Sequence, residues 1–309
     1  MRFQVTILGS SSALPMAGKH HSAHALNVHE QFYLVDCGEG TQSRLMKYGI
    51  NPMKINAVFI SHLHGDHLYG LFPLIDTLVL MGRRTPLKIF APAPMKEIMA
   101  DHFKYFVHED RFEIEYHEVD TRQNRMVYEN SVMEVWTIPL RHKIPSAGYL
   151  FREKTPGLNV RKDKIEEYGL GVAQIVAAKR GEDLLSDDGR LIPNGELTYV
   201  PYSPRSFAYC SDTLPSGKVA GIVDGVDLLY HEATFSRGDA ALARQTGHST
   251  AAQAAGIARD AAVGELLIGH FSGRYKEPDL LLNEAREVFP ATRAAEEGGT
   301  IDIKIKSHG

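Results

Sequence analysis

Apolar residues along this chain fall into short runs broken by glycine and polar turns, and some of the intervening stretches show helical spacing. Residues 3–8 and 32–35 read as strands, since Gly and polar residues bound each apolar run. Residues 57–60 read as a short buried strand that runs into a cluster of histidines. Leu71, Leu74, Ile75 and Leu78 recur at helical spacing and predict a helix over 68–81. A strand at Leu87–Ala91, a helix at Met95–Phe106 and a strand over 112–119 follow. Further strands are expected at Ser206–Cys210, 226–230 and 266–269. An Ala-rich helix is expected over 250–260, with Ser249 or Thr250 as its cap. Sheet and helix are mixed throughout, which predicts a layered α+β domain spanning residues 1–309.

Between residues 152 and 205 the apolar periodicity weakens while Gly, Pro and charge increase. Within 152–180 seven basic residues face four acids, an excess of three positive charges in a chain whose net charge is −4. This stretch is expected to be an inserted basic arm with no core of its own.

Composition narrows the class without deciding it. With 309 residues, 43% of them hydrophobic and 23% charged, the chain has the profile of a soluble globular protein with a sizeable core. No stretch approaches the roughly 20 apolar residues of a membrane-spanning helix, and the amino-terminal apolar run is too short for a signal peptide. A cytoplasmic protein with no membrane partner is therefore expected. The negative net charge argues against binding nucleic acid over the whole surface but allows a local basic patch. Two cysteines, Cys37 and Cys210, make no disulfide framework and are expected to be reduced packing residues.

The 15 histidines carry more information, because several are clustered. Expected strands repeatedly end beside a metal-competent side chain: Ile60 before His62, Leu140 before His142, Tyr209 before Asp212, Ile268 before His270. Strand ends are rigid, as metal ligands need to be. The run His62-Leu63-His64-Gly65-Asp66-His67 puts four ligand types into six residues after a buried strand. Burying three imidazoles and a carboxylate side by side would leave uncompensated polar groups unless a cation joined them. Imidazoles with carboxylates and no converging thiolates suit zinc, iron or manganese.

This run resembles the HxHxDH signature of the metallo-β-lactamase superfamily. The resemblance implies a four-layer αβ/βα sandwich, with one metal held by His62, His64 and His142 and a second by Asp66, His67 and His270. It implies that Asp212 bridges the two, and that Asp36 of Leu34-Val35-Asp36-Cys37-Gly38-Glu39-Gly40-Thr41 supports ligands without being one. Further motifs narrow the match: Tyr209-Cys210-Ser211-Asp212-Thr213, His231-Glu232-Ala233-Thr234-Phe235, His248-Ser249-Thr250 and His270-Phe271-Ser272-Gly273-Arg274-Tyr275. Together with the first two they resemble ribonuclease Z, the family of tRNA 3′-processing endonucleases.

What the resemblance implies is a dinuclear zinc phosphodiesterase, or one loaded with manganese or iron, acting on precursor tRNA as a homodimer. A metal hydroxide oriented by Asp66 would attack the phosphorus, and His248, paired with Glu232, would protonate the leaving 3′ oxygen. Arg274 would neutralise phosphate charge. The insertion at 152–205 corresponds to a tRNA-gripping arm, with Arg161, Lys162, Lys164, Lys179 and Arg180 as its RNA contacts. His231 is expected to be structural, and His20, His21, His24, His29, His102, His108, His117 and His308 to be surface or packing residues.

Two stretches depart from the family pattern. The loop Leu14–Ser22 keeps Pro15 and Lys19 but lacks an Arg-Asn pair, and Gly169-Leu170-Gly171-Val172-Ala173-Gln174 replaces a Gly-Ile-Pro-Pro-Gly-Pro element. The rival readings are a small-molecule phosphodiesterase on the same scaffold, a thioesterase or lactonase, and a non-catalytic RNA-binding relative. The thioesterase reading leaves the His248–Glu232 pair without a task, and the last should have lost ligands that are all present here.

Overall fold

The computed structural model describes residues 1–106, 112–186 and 189–306; His108 and His308 lie outside them. The chain divides into two units, residues 1–152 with 206–303, and residues 153–205 with those from 304 on.

The larger unit holds two seven-stranded sheets. The first is built from β1 (Phe3–Gly9), β2 (Ala23–Val28), β3 (Gln31–Val35), β4 (Ile55–Phe59), β5 (Leu87–Ala91) and β6 (Ile114–Glu118) in that spatial order. The second is built from β7 (Met126–Glu129), β8 (Met133–Pro139), β9 (Ala147–Glu153), β10 (Ser206–Cys210), β11 (Leu228–Glu232), β12 (Glu265–Gly269) and β13 (Thr292–Ala294). Strand β14 (Thr300–Asp302) closes the first sheet by pairing antiparallel with β1. In each sheet a run of parallel strands, β3 to β6 and β10 to β13, carries the strand ends that matter for chemistry.

Side chains alternate between the two faces of each strand, as a period of two requires. Tyr33, Val35, Ala57 and Phe59 point inward and meet Tyr149, Phe151, Phe207 and Tyr209 of the other sheet in one buried cluster. Phe59 stacks on Phe90 at 4.8 Å between ring centres and meets Phe151 edge-on at 5.2 Å. The intervening Leu34, Val58 and Ile60 face outward against the helices Leu71–Leu80 and Met95–Phe106. Likewise Ala208, Cys210 and Leu229 face the helices Ala251–Asp260 and Asp279–Arg286. Helix, sheet, sheet, helix is the resulting layering: an α+β four-layer sandwich. Both cysteines sit in the outer layers, fully buried, and burial pushes both thiols well above their usual range.

Two expected elements are displaced. The helix expected over 68–81 is two, Gly65–Leu68 and Leu71–Leu80. The break falls at Gly70, where a Cβ would lie 1.9 Å from the Gly38 carbonyl oxygen. Glycine at both positions lets the histidine-bearing turn lie against the strand end at Asp36. The strand expected over 226–230 is Leu228–Glu232, so His231 and Glu232 belong to the sheet.

The smaller unit does bury a core, contrary to the expectation for 152–205. Val160, Leu170, Ala178, Leu184, Ile192 and Leu197 form a cluster of their own, beneath the helices Lys162–Glu167 and Val172–Lys179. The Glu153–Arg205 ion pair, at 2.6 Å and nearly excluded from solvent, sits where the unit begins and ends. Among the described residues no helix is long and apolar enough to cross a membrane.

Candidate metal centre

The run His62–His67 follows β4, His142 follows β8, Asp212 follows β10 and His270 follows β12. These four connections converge. The donor atoms of His62, His64, His142 and Asp212 lie within 4.8 Å of one another, and so do those of Asp66, His67 and His270. Asp212 joins the groups. Its Oδ2 lies 3.5 Å from His62 Nε2 and 3.7 Å from His142 Nε2, while its Oδ1 lies 3.4 Å from His67 Nε2 and 3.2 Å from His270 Nε2. Asp66 Oδ2 lies 3.4 Å from both His67 Nε2 and His270 Nε2.

The hydrogen bonds behind these residues decide which nitrogens carry protons. His67 Nδ1 donates to Asp36 Oδ2 at 2.7 Å, and His142 Nδ1 donates to the Gly247 carbonyl at 2.8 Å. Ser61 Oγ gives its hydrogen to Asp36 Oδ2, so it accepts from His62 Nδ1 at 2.9 Å. Thr234 Oγ1 gives its hydrogen to Glu232 Oε2, so it accepts from His270 Nδ1 at 2.9 Å. All four rings therefore turn an Nε2 lone pair toward the same centre. His67 and His270 Nε2 are 3.3 Å apart, and His62 Nε2 lies 3.0 Å from His64 Nδ1. Lone pairs facing one another across such gaps, buried and beside two carboxylates, fit divalent cations.

Electrostatics agrees with the geometry at the carboxylates and at three of the histidines. At His67 burial opposes charge, but Asp212, Asp66 and Asp36 raise the imidazole well above its usual value, so a cation bound there would take the place of a proton. Burial works against charge on Asp66 and Asp212, yet the neighbouring imidazoles, His67 and His270 above all, hold both carboxyls well below the usual range. Burial holds His62, His64 and His142 below the usual imidazole value. The carboxylates are thus charged and those histidines neutral, the protonation states that ligands need.

Asp36 and His270 both carry left-handed backbone conformations, φ 55 and 60. Such conformations cost of order 1–3 kcal/mol each and persist where the surroundings enforce them. Asp36 is enforced by four donors. Ser61 N reaches Oδ1 at 2.7 Å, while Ser61 Oγ, His67 Nδ1 and Tyr209 Oη reach Oδ2 at 2.8, 2.7 and 2.7 Å.

A second polar unit adjoins the first. Glu232, with no exposure to solvent, accepts from Thr213 N, Ser249 N, Thr234 N, Thr234 Oγ1 and His248 Nδ1. Five donors hold it as a carboxylate. Burial opposes charge on His248, but Glu232 at 3.1 Å, helped by Asp212, raises it to about 9. His248 Nε2 is 3.9 Å from Asp212 Oδ2 and faces a cavity of about 590 Å³ that also takes in His64, Asp66, His142 and His270.

Arg274 is exposed and does not line that cavity; Lys143 does. Of the basic residues expected in the arm, Arg161, Lys162, Lys179 and Arg180 are exposed, while Lys164 is held by Glu167 at 2.6 Å. Ser61, Thr234 and Tyr209 were missed by sequence reasoning, although each stands within three residues of a residue it singled out. His24 is a packing residue, in the core and not at the surface. It is fully buried against the rings of Tyr209 and Tyr230, at 5.1 and 4.4 Å, and burial with His67 nearby lowers it to about 3. His20 Nδ1 is hydrogen-bonded to Glu297 Oε2 at 2.7 Å.

Comparison with known proteins covers nearly the whole chain. A ribonuclease Z of Bacteroides fragilis is 42% identical over 302 residues, 98% of this chain and 99% of its own length. One of Porphyromonas gingivalis is 42% identical over 301 residues, 97% and 99% of the two chains. The crystal structure of human tRNase Z, short form, superposes with a TM-score of 0.70 at 25% identity, covering 98% of this chain and all of that one. The family model described as anti-Pycsar protein Apyc1 matches residues 3–157. That match includes the histidine run and His142 but stops before Asp212, Glu232, His248 and His270.

Proposed function

The chain belongs to the ribonuclease Z family of metallo-β-lactamase-fold hydrolases, and we propose that it removes 3′ trailers from precursor tRNA, leaving a 3′-hydroxyl on the tRNA. One observation carries the mechanism: the two oxygens of Asp212 face two separate imidazole groups, with the His248–Glu232 pair beside them. His62, His64 and His142 would hold one cation, Asp66, His67 and His270 a second, and Asp212 both; zinc suits the donor set best, with manganese and iron as alternatives. Such a pair, when bound, supplies an activated water and neutralises phosphoryl oxygens.

The chain's own residues do the rest. Asp66, facing the cavity, orients the attacking water. As the new P–O bond forms, the P–O3′ bond breaks, and the electron pair stays on O3′. His248 Nε2–H gives that oxygen its proton, and Glu232 keeps the ring charged and aimed until transfer. The products are a tRNA ending in a 3′-hydroxyl and a trailer with a 5′-phosphate. Residues 153–205 act as the RNA-binding arm through Arg161, Lys162, Lys179 and Arg180, with Lys164 bracing its helix by pairing with Glu167. Arg274 serves at most the outer path of the RNA. A homodimer and a cytoplasmic location, where tRNA precursors are met, complete the reading. A small-molecule phosphodiesterase is disfavoured, since full-length similarity runs to ribonucleases Z.

Metal-loaded protein should cleave a 3′-extended precursor tRNA at a single position and much faster than it hydrolyses a bis-aryl phosphodiester. Faster hydrolysis of the small diester, with the tRNA left intact, would overturn the proposal.

A further inference from the structure

A second cavity of about 520 Å³ lies against His248, lined by Arg141, Leu214, Pro215, Ala240, Ala241, Arg244, His248 and Gln253. His248 lines both this cavity and the one holding the metal ligands. No carboxylate lines the second cavity, and neither the Arg141 nor the Arg244 guanidinium has an ion-pair or hydrogen-bond partner among the described residues. Both arginines are exposed, and a groove lined by two guanidiniums and no carboxylate is an electropositive site that suits an anion.

The base of each arginine is fixed. Arg141 N accepts no freedom: it donates to Thr213 Oγ1 at 3.0 Å, and Arg141 O receives Leu214 N at 2.8 Å. Arg244 lies on the helix Ala240–Thr246, which ends at Gly247 with φ 85. A Cβ at Gly247 would lie 3.0 Å from His142 Nδ1 and 3.6 Å from Lys143 Cγ, so the 141–143 segment and the turn before His248 are in contact. Anchored backbone thus brings two exposed guanidinium ends to one groove, where a single phosphate can meet both.

Resting on the reading above, we propose that this cavity is the subsite for the RNA backbone phosphate next on the 5′ side of the scissile linkage. The polarity follows from the reaction. His248 protonates O3′, so the nucleotide bearing O3′ stands at His248, and its own 5′ phosphate continues away from Asp212 past the imidazole. That path leads into the cavity holding Arg141 and Arg244, while Lys143 stands on the metal side. The trailer, attached through the scissile phosphorus, leaves on the other side.

The test uses the full-length metal-loaded protein, the Arg141→Gln/Arg244→Gln double variant, and synthetic precursor RNAs with one neutral methylphosphonate linkage. On all-phosphate RNA the variant should lose about tenfold or more in kcat/KM, and its salt-dependence slope should drop by about 0.7, the share of the one phosphate the two arginines neutralise. On RNA neutralised at the 5′-adjacent linkage, variant and wild type should become equal. On RNA neutralised at the 3′-adjacent linkage, the full difference should persist. A difference that survives 5′ neutralisation, or vanishes on 3′ neutralisation, overturns the assignment. No cleavage of all-phosphate RNA by the wild type would mark failure of the underlying reading instead, and would remove the subsite with it.

Discussion

Asp36→Asn isolates the support behind the proposed metal ligands with the least change of shape. The carboxylate accepts four hydrogen bonds, one on Oδ1 and three on Oδ2, in a position with no solvent exposure. An asparagine has one accepting oxygen. Turned toward Ser61 Oγ, His67 and Tyr209, it keeps three partners but sets its amide hydrogens against Ser61 N–H. Turned the other way, it opposes three donors at once. The better rotamer still leaves a buried N–H unsatisfied, which costs about 1–3 kcal/mol. The three surviving bonds also lose their charge assistance, roughly half their strength. Urea unfolding of metal-stripped protein should therefore show a loss of about 2 kcal/mol or more. His67, no longer backed by a carboxylate, becomes a poorer donor, and metal retained against a competing chelator should weaken by about 10- to 100-fold. Unfolding midpoints and chelator competition, followed by elemental analysis, measure the two effects separately. Metal retention within about twofold of wild type would refute the claim that Asp36 sets the ligand field through His67.

Other outcomes follow from the same geometry. His248→Ala should keep its metal content and lose about 10²- to 10⁴-fold in turnover of precursor tRNA; metal lost in step with activity would remove the proton-relay role. Deleting residues 157–180 should abolish cleavage of precursor tRNA while sparing a bis-aryl diester, and equal loss of both would count against the arm. Because burial raises both thiols, Cys37 and Cys210 stay protonated at pH 8. A thiol-disulfide reagent should then label neither until the protein is unfolded, and rapid labelling of the folded protein would contradict the packing described.

Much of this site could be read along the chain because its candidate ligands stand at strand ends. Ile60 is the last apolar residue before the histidine run, and a buried strand feeding polar residues into a turn leaves a local trace. The same holds for Cys210 before Asp212 and Gly269 before His270. Where a polar residue continues the sheet, the trace misleads: the expected strand stops at residue 230, yet His231 and Glu232 also lie in β11, where backbone and hydroxyl donors satisfy Glu232. The break at Gly70 depends on contact with Gly38, 32 residues earlier, and nothing local announces it. The arm's core escaped for a similar reason. Val160, Leu170, Ala178, Leu184, Ile192 and Leu197 share no helical or strand period and meet only in the folded unit. The arginine cavity beside His248 draws Arg141 and Arg244 from residues more than a hundred apart, so only tertiary structure could pair them.

Metal stoichiometry of purified, metal-loaded protein, compared between wild type and Asp212→Ala, tests the central claim most directly. About two divalent cations per chain are expected in the wild type and close to none in the variant, since both oxygens of Asp212 are in use. Two cations retained without Asp212, or the loss of only one, would contradict a centre bridged by that side chain.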